Sequence, residues 1–198
     1  MMDVFSDLFI YIFDGINERC KAELKCVRDQ HPFEDLQYLR PTLKLSYAEG
    51  CALLREAGVD QGDYDDLTTE NEKTLGDIVK EKYGTDFFFM DRYPMEVRPF
   101  YTMPCKDNPK LSNSYDFFIR GQEILSGAQR VHDADMILKC AKEKGMEPPE
   151  TYVNAFRHGA LPHGGGGIGL ERVVMLFLGL PNIRKASLFP RDPKRIEP

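Results

Sequence analysis

The feature that most constrains how this chain can fold is the ten-residue run HGGGGIGLER at positions 163–172, in which five residues are glycine. An apolar run at 173–178 follows it directly. Because glycine lacks a Cβ, its backbone can approach a flat or charged ligand that a side chain would keep away. A helix that begins where the glycines end adds free N–H groups and the positive end of its dipole. The run is therefore a candidate site for an anionic ligand.

Arg172 falls in the first turn of that predicted helix, where a fixed guanidinium can bind phosphate. The glycines, the helix start and Arg172 together indicate a nucleotide site. A flexible glycine turn in front of a core helix explains the same composition, and composition alone does not decide between them. Neither common phosphate loop is present, because G-x-x-x-x-G-K-[S/T] does not occur and the glycines do not follow a strand in a βαβ unit.

Composition favours an ordinary soluble globular protein. With 198 residues the chain can bury one good core, so we expect one domain. The five cysteines are scattered and form no C-x-x-C pair, which favours free thiols in a reducing compartment over a zinc cluster. No apolar run approaches the roughly 20 residues of a membrane span. We therefore expect a cytoplasmic protein with no membrane partner.

The charge is unevenly distributed. The formal net charge is −6, which does not by itself favour binding to nucleic acid. Acidic residues concentrate at 60–72, whereas the C-terminal end is basic. The basic residues there are Arg184, Lys185, Arg191, Lys194 and Arg195. A basic end is usually just solvated, so it gives only weak support for an RNA-facing edge.

Periodicity and turn residues predict the elements. We expect helices at 3–28, 46–54, 69–83, 133–144 and 149–158, and strands at 42–45, 87–90 and 100–103. S/T-x-x-E capping boxes begin two of the helices, one at Ser46 with Glu49 and one at Thr69 with Glu72. Because strands and helices do not alternate as βαβ units, the fold class is α+β, an antiparallel β-sheet flanked by helices.

A hairpin at 115–126 carries candidate chemistry. With Arg120-Gly121 as a two-residue turn, Ile119 faces Gln122, Phe118 faces Glu123 and Asp116 faces Leu125. Opposed residues share a face, so Asp116 and Glu123 lie diagonally on the same side. Two neighbouring carboxylates repel each other unless a cation lies between them. The alternative is a solvated outer face. We also expect a bend at Ser126-Gly127, with Arg130 close to the end of the strand.

Three blocks resemble the class II aminoacyl-tRNA synthetases. The run at 163–172 is similar to their motif 3, and 179–195 and YDFFIRGQEILSGAQR at 115–130 narrow the resemblance to the aspartyl-tRNA synthetase family of eukaryotic cytosolic and archaeal type. The resemblance covers essentially the whole chain. It implies that 1–198 is the C-terminal part of a class II catalytic domain, with the sheet incomplete at its N-terminal side and with motif 1, motif 2 and the anticodon-binding domain absent.

The resemblance also implies roles for the hairpin residues. Glu123 is expected to bind Mg²⁺ and ATP, with Asp116 supporting the metal. Ser126 is expected to contact both the amino acid and the metal. Arg130 is expected to bind the side-chain carboxylate of aspartate, which suits a bidentate guanidinium.

For ATP, the implied residues are Gly169, Leu170, Glu171 and Arg172 in addition to Glu123, with Arg172 on the phosphate tail and the glycine backbone near adenine. Glu123 and Arg172 are the expected catalytic residues. The two-step family reaction needs no protein nucleophile, because Mg²⁺ and arginines neutralise charge and align the attack.

The implied function is an aspartate–tRNA ligase that uses ATP and Mg²⁺ to activate L-aspartate and transfers it to tRNA(Asp), as a homodimer in the full-length enzyme. Within the family, an asparaginyl-tRNA synthetase or a synthetase-derived asparagine synthetase is an alternative, and the LSGAQR sequence at 125–130 favours aspartate. Two further alternatives are a non-catalytic fragment and a generic α+β nucleotide-binding module.

Overall fold

The computed structural model describes residues 1–197, which form helices packed on both faces of one sheet. The helices are α1 (Met2–Arg19), α2 (Lys21–Gln30), α3 (Tyr47–Glu56), α4 (Thr69–Tyr83), α5 (Ala134–Glu143), α6 (Glu150–Arg157) and α7 (Leu170–Phe177). The strands are β1 (Leu43–Ser46), β2 (Phe87–Asp91), β3 (Ser114–Ile119), β4 (Gln122–Gln129) and β5 (Gly164–Ile168). Within 1–197, no helix combines the length and the apolar character that crossing a membrane requires.

The five strands lie side by side in the order β1-β2-β3-β4-β5. The pairs β2–β3, β3–β4 and β4–β5 are antiparallel, so the predicted α+β fold is confirmed. The pair β1–β2 is parallel, with α3 and α4 in the connection between the two strands. This parallel pair departs from the predicted antiparallel sheet, because α3 and α4 together form a crossover between β1 and β2.

Alternating side chains of the central strands supply two cores. On one face, β2 and β3 direct Phe87, Phe117 and Ile119 toward α1 and α7. On the other face, Phe88 and Phe118 pack against α3 and α4, with ring centroids 5.1 Å apart. Burial on both faces explains why β2 and β3 are apolar along most of their length rather than alternating.

The predicted helix at 3–28 is interrupted. Cys20 leaves helical geometry with φ −110° and ψ 33°, which separates α1 from α2. The buried side of α1 includes Phe9 and Phe13, whereas α2 buries no residue. The hydrophobic pattern continues through both helices, but only α1 follows the sheet. Neither proline nor glycine marks the break at Cys20, so no local signal predicts it.

The predicted strand at 100–103 is wrong. Only Thr102 forms a β-bridge, an isolated one with Arg130. Phe100 instead packs edge-on against Tyr152 of α6, with ring centroids 6.2 Å apart. The aromatic residues that suggested a strand are thus used for packing outside the sheet.

The predicted caps are largely confirmed. The Ser46–Glu49 capping box is complete, and Asp133 caps α5 by accepting from the Met136 N–H at 2.8 Å. The predicted Thr69–Glu72 box is wrong by one residue, because Thr68 caps α4 and accepts from Asn71. Glu72 is therefore not used as a cap.

Candidate active site

The hairpin turn fixes where α4 meets the sheet. Arg120 and Gly121 both have positive φ, 49° and 65°, as a type I′ turn requires. Gly76 of α4 packs directly on the Gly121 backbone, so close that a Cβ on Gly76 would overlap it. This contact brings the first turn of α4, which carries Glu72, to the turn of the hairpin, where a Cβ on Gly121 would lie 2.7 Å from the Glu72 carbonyl oxygen.

A β-bulge sets which residues share the site face. Ile119 faces Gln122 and Phe118 faces Glu123, as predicted. The register then shifts, and Asp116 faces Ser126 rather than the predicted Leu125. One extra residue in β4 causes the shift.

That extra residue leaves Ile124 and Leu125 buried in the same core cluster. Ser126 therefore lies on the same face as Asp116 and Glu123. The predicted bend at Ser126-Gly127 is wrong, because β4 continues through both residues to Gln129.

Asp116 is held by an arginine that the sequence analysis did not single out. Arg98 donates to one Asp116 carboxylate oxygen, and the side chains are only 12% and 5% exposed. Arg98 also donates to Ser126 Oγ at 3.2 Å and stacks on the Tyr93 ring at 3.9 Å. The other Asp116 oxygen, Oδ1, is buried without a hydrogen-bond partner. Arg98 lies in a loop with no motif, so no local signal pointed to it.

Three carboxylates interact at this face. Burial raises the pKa of Glu123, and the charge of Asp116 raises it further. Burial raises the pKa of Glu72 to about 7, and Glu123 and Asp116 add to this shift, whereas Arg172 opposes it. From sequence, Glu72 was predicted to cap a helix and to belong to the acidic stretch at 60–72, so its approach to the site is a finding of the structure.

Arg172 occupies the predicted first turn of α7. Its Nη1 donates to the backbone carbonyl of Glu123 at 2.9 Å, which ties the start of α7 to the hairpin. Gly169 is the N-cap and supplies no side-chain cap, so the first N–H groups of α7 remain available for a ligand. Leu170 and Glu171 are exposed beside it.

The glycine run forms an edge strand rather than a flexible turn. β5 pairs with β4, with Gly167 opposite Ser126 and Gly165 opposite Ala128. A Cβ added to either glycine would meet nothing within 4 Å, whereas one on Gly166 would lie 2.9 Å from Leu125. Opposed residues share a face, so the open glycine surface lies on the face of Ser126. It leaves room for a flat group beside the carboxylates.

Arg130 and Ser126 line one small cavity. The Arg130 guanidinium lies over the Tyr101 ring at 4.1 Å, and the cavity of about 70 Å³ also includes Arg98. The Arg130 guanidinium and the Ser126 hydroxyl suit a small anionic ligand. The structure therefore brings together two of the residues expected to bind aspartate.

The donor set fits Mg²⁺. Glu123, Ser126 and the unpartnered Asp116 Oδ1 are hard oxygen ligands on one face. Within residues 1–197, no three His, Cys, Asp or Glu side chains are arranged to hold a metal by themselves. Mg²⁺ commonly binds through one or two carboxylates together with substrate phosphates, so this arrangement is compatible with a site that phosphate completes.

The chain is similar to a known protein family and to proteins of known function. A family model described as tRNA synthetases class II (D, K and N) matches residues 1–193. The chain is 56% identical over 200 residues to the cytoplasmic aspartate–tRNA ligase of Homo sapiens, covering 100% of this chain and 40% of that relative. It thus spans about two-fifths of the length of the curated relatives that it matches.

Two solved structures are also similar. An aspartyl tRNA synthetase from Entamoeba histolytica has a TM-score of 0.95 and 55% identity, covering 100% of this chain and 41% of that one. An asparaginyl-tRNA synthetase from Pyrococcus horikoshii complexed with asparaginyl-adenylate has a TM-score of 0.86 and 34% identity, covering 100% of this chain and 45% of that one.

Proposed function

Since this chain belongs to the class II tRNA synthetases of the D, K and N group, we propose that it carries the amino-acid and ATP sites of an aspartate–tRNA ligase. That enzyme activates L-aspartate with ATP to aspartyl-adenylate and transfers the aspartyl group to tRNA(Asp). The observation that carries the proposal is that Arg130 and Ser126 line one cavity, and that Ser126 lies on the same face of the sheet as Glu123.

In the proposed mechanism, the protein positions the reactants and neutralises charge. Arg130 binds the side-chain carboxylate of aspartate, because its planar fork over Tyr101 presents two parallel donors. Ser126, in the same cavity, donates to the substrate. The α-carboxylate of aspartate is then held toward the phosphate side of the site, which favours attack by proximity and orientation.

The ATP side of the site is built by β5 and α7. Gly165 and Gly167 leave an open surface for adenine, and Gly169 exposes the free N–H groups of α7. Arg172, fixed by its bond to the Glu123 carbonyl, supplies a positive charge for the phosphate tail. Leu170 and Glu171 complete the ATP-binding segment.

Mg²⁺, when bound, neutralises phosphate charge and orients the phosphate chain. Glu123 is the proposed ligand shared with ATP, Asp116 offers its free Oδ1, and Ser126 offers its hydroxyl. Burial raises the pKa of Glu123 and the charge of Asp116 adds to the shift, so a cation at this face would reduce the repulsion between the two carboxylates. Glu123 and Arg172 are therefore the proposed catalytic residues.

The compartment and the remaining partners are proposed by similarity to the full-length enzymes. The relatives are named cytoplasmic, and we propose the same compartment for this protein. tRNA(Asp) and a second subunit are proposed partners of the full-length enzyme. The exposed basic residues near the C-terminus offer phosphate contacts, although Arg184 is already paired with Asp192 at 2.8 Å.

Calorimetry tests the amino-acid assignment. The chain is titrated with L-aspartate and, separately, with L-asparagine in the presence of ATP and Mg²⁺, and ATP–pyrophosphate exchange reports adenylate formation. We expect aspartate to bind at least about tenfold more tightly, because a guanidinium prefers a carboxylate to an amide. Arg130→Gln should remove this preference. Arg157→Gln, which removes an exposed arginine paired with Glu150, is the matched control.

Two results contradict the proposal. Tighter binding of asparagine would favour the asparaginyl alternative, which the similarity to the Pyrococcus horikoshii structure keeps open. Absence of binding by either amino acid and by ATP would favour the non-catalytic fragment.

A further inference from the structure

Arg98 has a position that the proposed mechanism does not explain. It lies outside the sheet and both main core clusters, directly after a 3₁₀ turn at Met95–Val97. Nevertheless its guanidinium is almost fully buried, between the Tyr93 ring and the site face. Burying a charge is costly unless it is paired and hydrogen-bonded, and Arg98 obtains both from the site face, through Asp116 and Ser126.

The hydrogen bonds of Arg98 determine what its neighbours can do. Arginine has only donors, so Ser126 Oγ accepts from Arg98 and its own O–H remains free to donate elsewhere. Arg98 also occupies one oxygen of Asp116 and leaves Oδ1 without a partner. One guanidinium thus directs a hydroxyl donor and a carboxylate acceptor at the same time.

We propose that Arg98 is a positioning residue that turns the Ser126 hydroxyl toward the cavity as a donor for the amino-acid substrate and limits the negative charge that Asp116 presents to a cation. This inference rests on the proposed function. It concerns a residue that acts through Ser126 and Asp116 rather than through direct contact with the reacting atoms.

Removing the Arg98 guanidinium should change the affinities for aspartate and for a cation in opposite directions. Loss of the guanidinium releases the Ser126 hydroxyl from its orientation, which weakens aspartate binding. It also removes a positive charge next to Asp116 and Glu123, which strengthens cation binding. A residue that only stabilised the fold would weaken both ligands together. The signs of the two changes therefore separate a positioning role from a structural one.

The test compares the chain with Arg98→Met, using L-aspartate measured by calorimetry with ATP present and Mn²⁺ measured from the electron paramagnetic resonance signal of the free ion. We expect aspartate affinity to fall about tenfold, as for the loss of a charge-assisted hydrogen-bond arrangement. We expect Mn²⁺ affinity without ATP to rise about threefold or more, because a nearby unit charge is lost and salt screens part of the effect.

Arg98→Lys keeps the charge but cannot span both partners, so it should weaken aspartate binding while leaving Mn²⁺ affinity within about twofold. This variant decides the question if Arg98→Met does not fold. Arg92→Met is the matched control, because it removes a comparable arginine paired with Asp107 on the exposed surface. It should change neither affinity.

Three outcomes would overturn the inference. Equal weakening of both ligands in Arg98→Met with a lower unfolding temperature would indicate a structural residue. Unchanged binding of both ligands in Arg98→Met or unchanged aspartate binding in Arg98→Lys would contradict any positioning role. If the unsubstituted chain binds neither aspartate nor Mn²⁺, the proposed function fails and the inference fails with it. If the unsubstituted chain binds both ligands, a negative result with the Arg98 variants contradicts only the inference about Arg98.

Discussion

Replacing Glu72 by glutamine should stabilise the folded chain at pH 8 and have little effect at pH 5. Burial and the charges of Glu123 and Asp116 raise the pKa of Glu72 to about 7, so ionisation in the folded state is unfavourable. In the unfolded chain the pKa of Glu72 is near the ordinary glutamate value of 4.5. The stability associated with the protonated carboxyl is therefore fully present below 4.5 and is lost as the pH rises through about 7.

The magnitude follows from the difference between the two pKa values. A shift of about 2.5 units corresponds to about 3.4 kcal/mol at 1.36 kcal/mol per unit. Glu72 is only partly buried, so solvent screening reduces this upper limit, and we expect about 2 kcal/mol. Near pH 5 the folded-state carboxyl is protonated and the unfolded one is already partly ionised, so the gain falls to about 0.5 kcal/mol after the same screening.

Thermal unfolding monitored by circular dichroism at both pH values measures the effect. For a chain of this size, about 2 kcal/mol raises the midpoint by roughly 4–8 °C. Glu70→Gln is the control, since Glu70 lies in the same first turn of α4 but is exposed. It should lower stability by a few tenths of a kcal/mol through its loss near the helix N-terminus. An equal midpoint shift for Glu72→Gln at pH 5 and pH 8, or a loss of stability at pH 8, would refute the electrostatic reasoning.

Two further predictions concern the frame of the site. Gly76→Ala should destabilise the folded chain by about 3 kcal/mol or more, because its Cβ would overlap the Gly121 backbone. Gly15→Ala, whose Cβ would meet nothing within 4 Å, should stabilise the folded chain by about 0.5–1 kcal/mol. Urea unfolding measures both changes, and similar values for the two variants would contradict the packing argument. Ser46→Ala should cost about 1 kcal/mol by removing the capping box of α3, and an unchanged unfolding midpoint would show that the cap is dispensable.

The features that the sequence predicted correctly depend on residues close together in the chain. Ser46 and Glu49 are three residues apart, and α4 ends at residue 83 as predicted because Gly84 follows with a φ of 68°. The Arg120-Gly121 turn likewise needs only its own two residues to adopt positive φ. Each of these signals is local, so a single sequence is enough to recognise it.

The features that the sequence did not reveal depend on contacts between distant segments. Arg98 reaches Asp116 and Ser126 across 18 and 28 positions of the chain. Glu72 reaches the site because Gly76 allows α4 to approach the hairpin turn. Phe100 was predicted to lie in a strand because of the local aromatic content. Its packing partner Tyr152 on α6 lies far along the sequence and gives no local signal. Residue type and spacing carry no direct signal for such contacts, so they required the structure.

The β-bulge connects these two groups of features and explains why the site could be only partly predicted. Glu123 and Ser126 are three residues apart, and in a regular strand an odd separation places side chains on opposite faces. The extra residue reverses the alternation, so both lie on the face that carries Asp116. Without it, the Ser126 hydroxyl would point into the core beside Phe117, and the cavity shared with Arg130 would lose its donor. The Asp116–Glu123 pair could be predicted from alternation alone, whereas the position of Ser126 depends on the bulge.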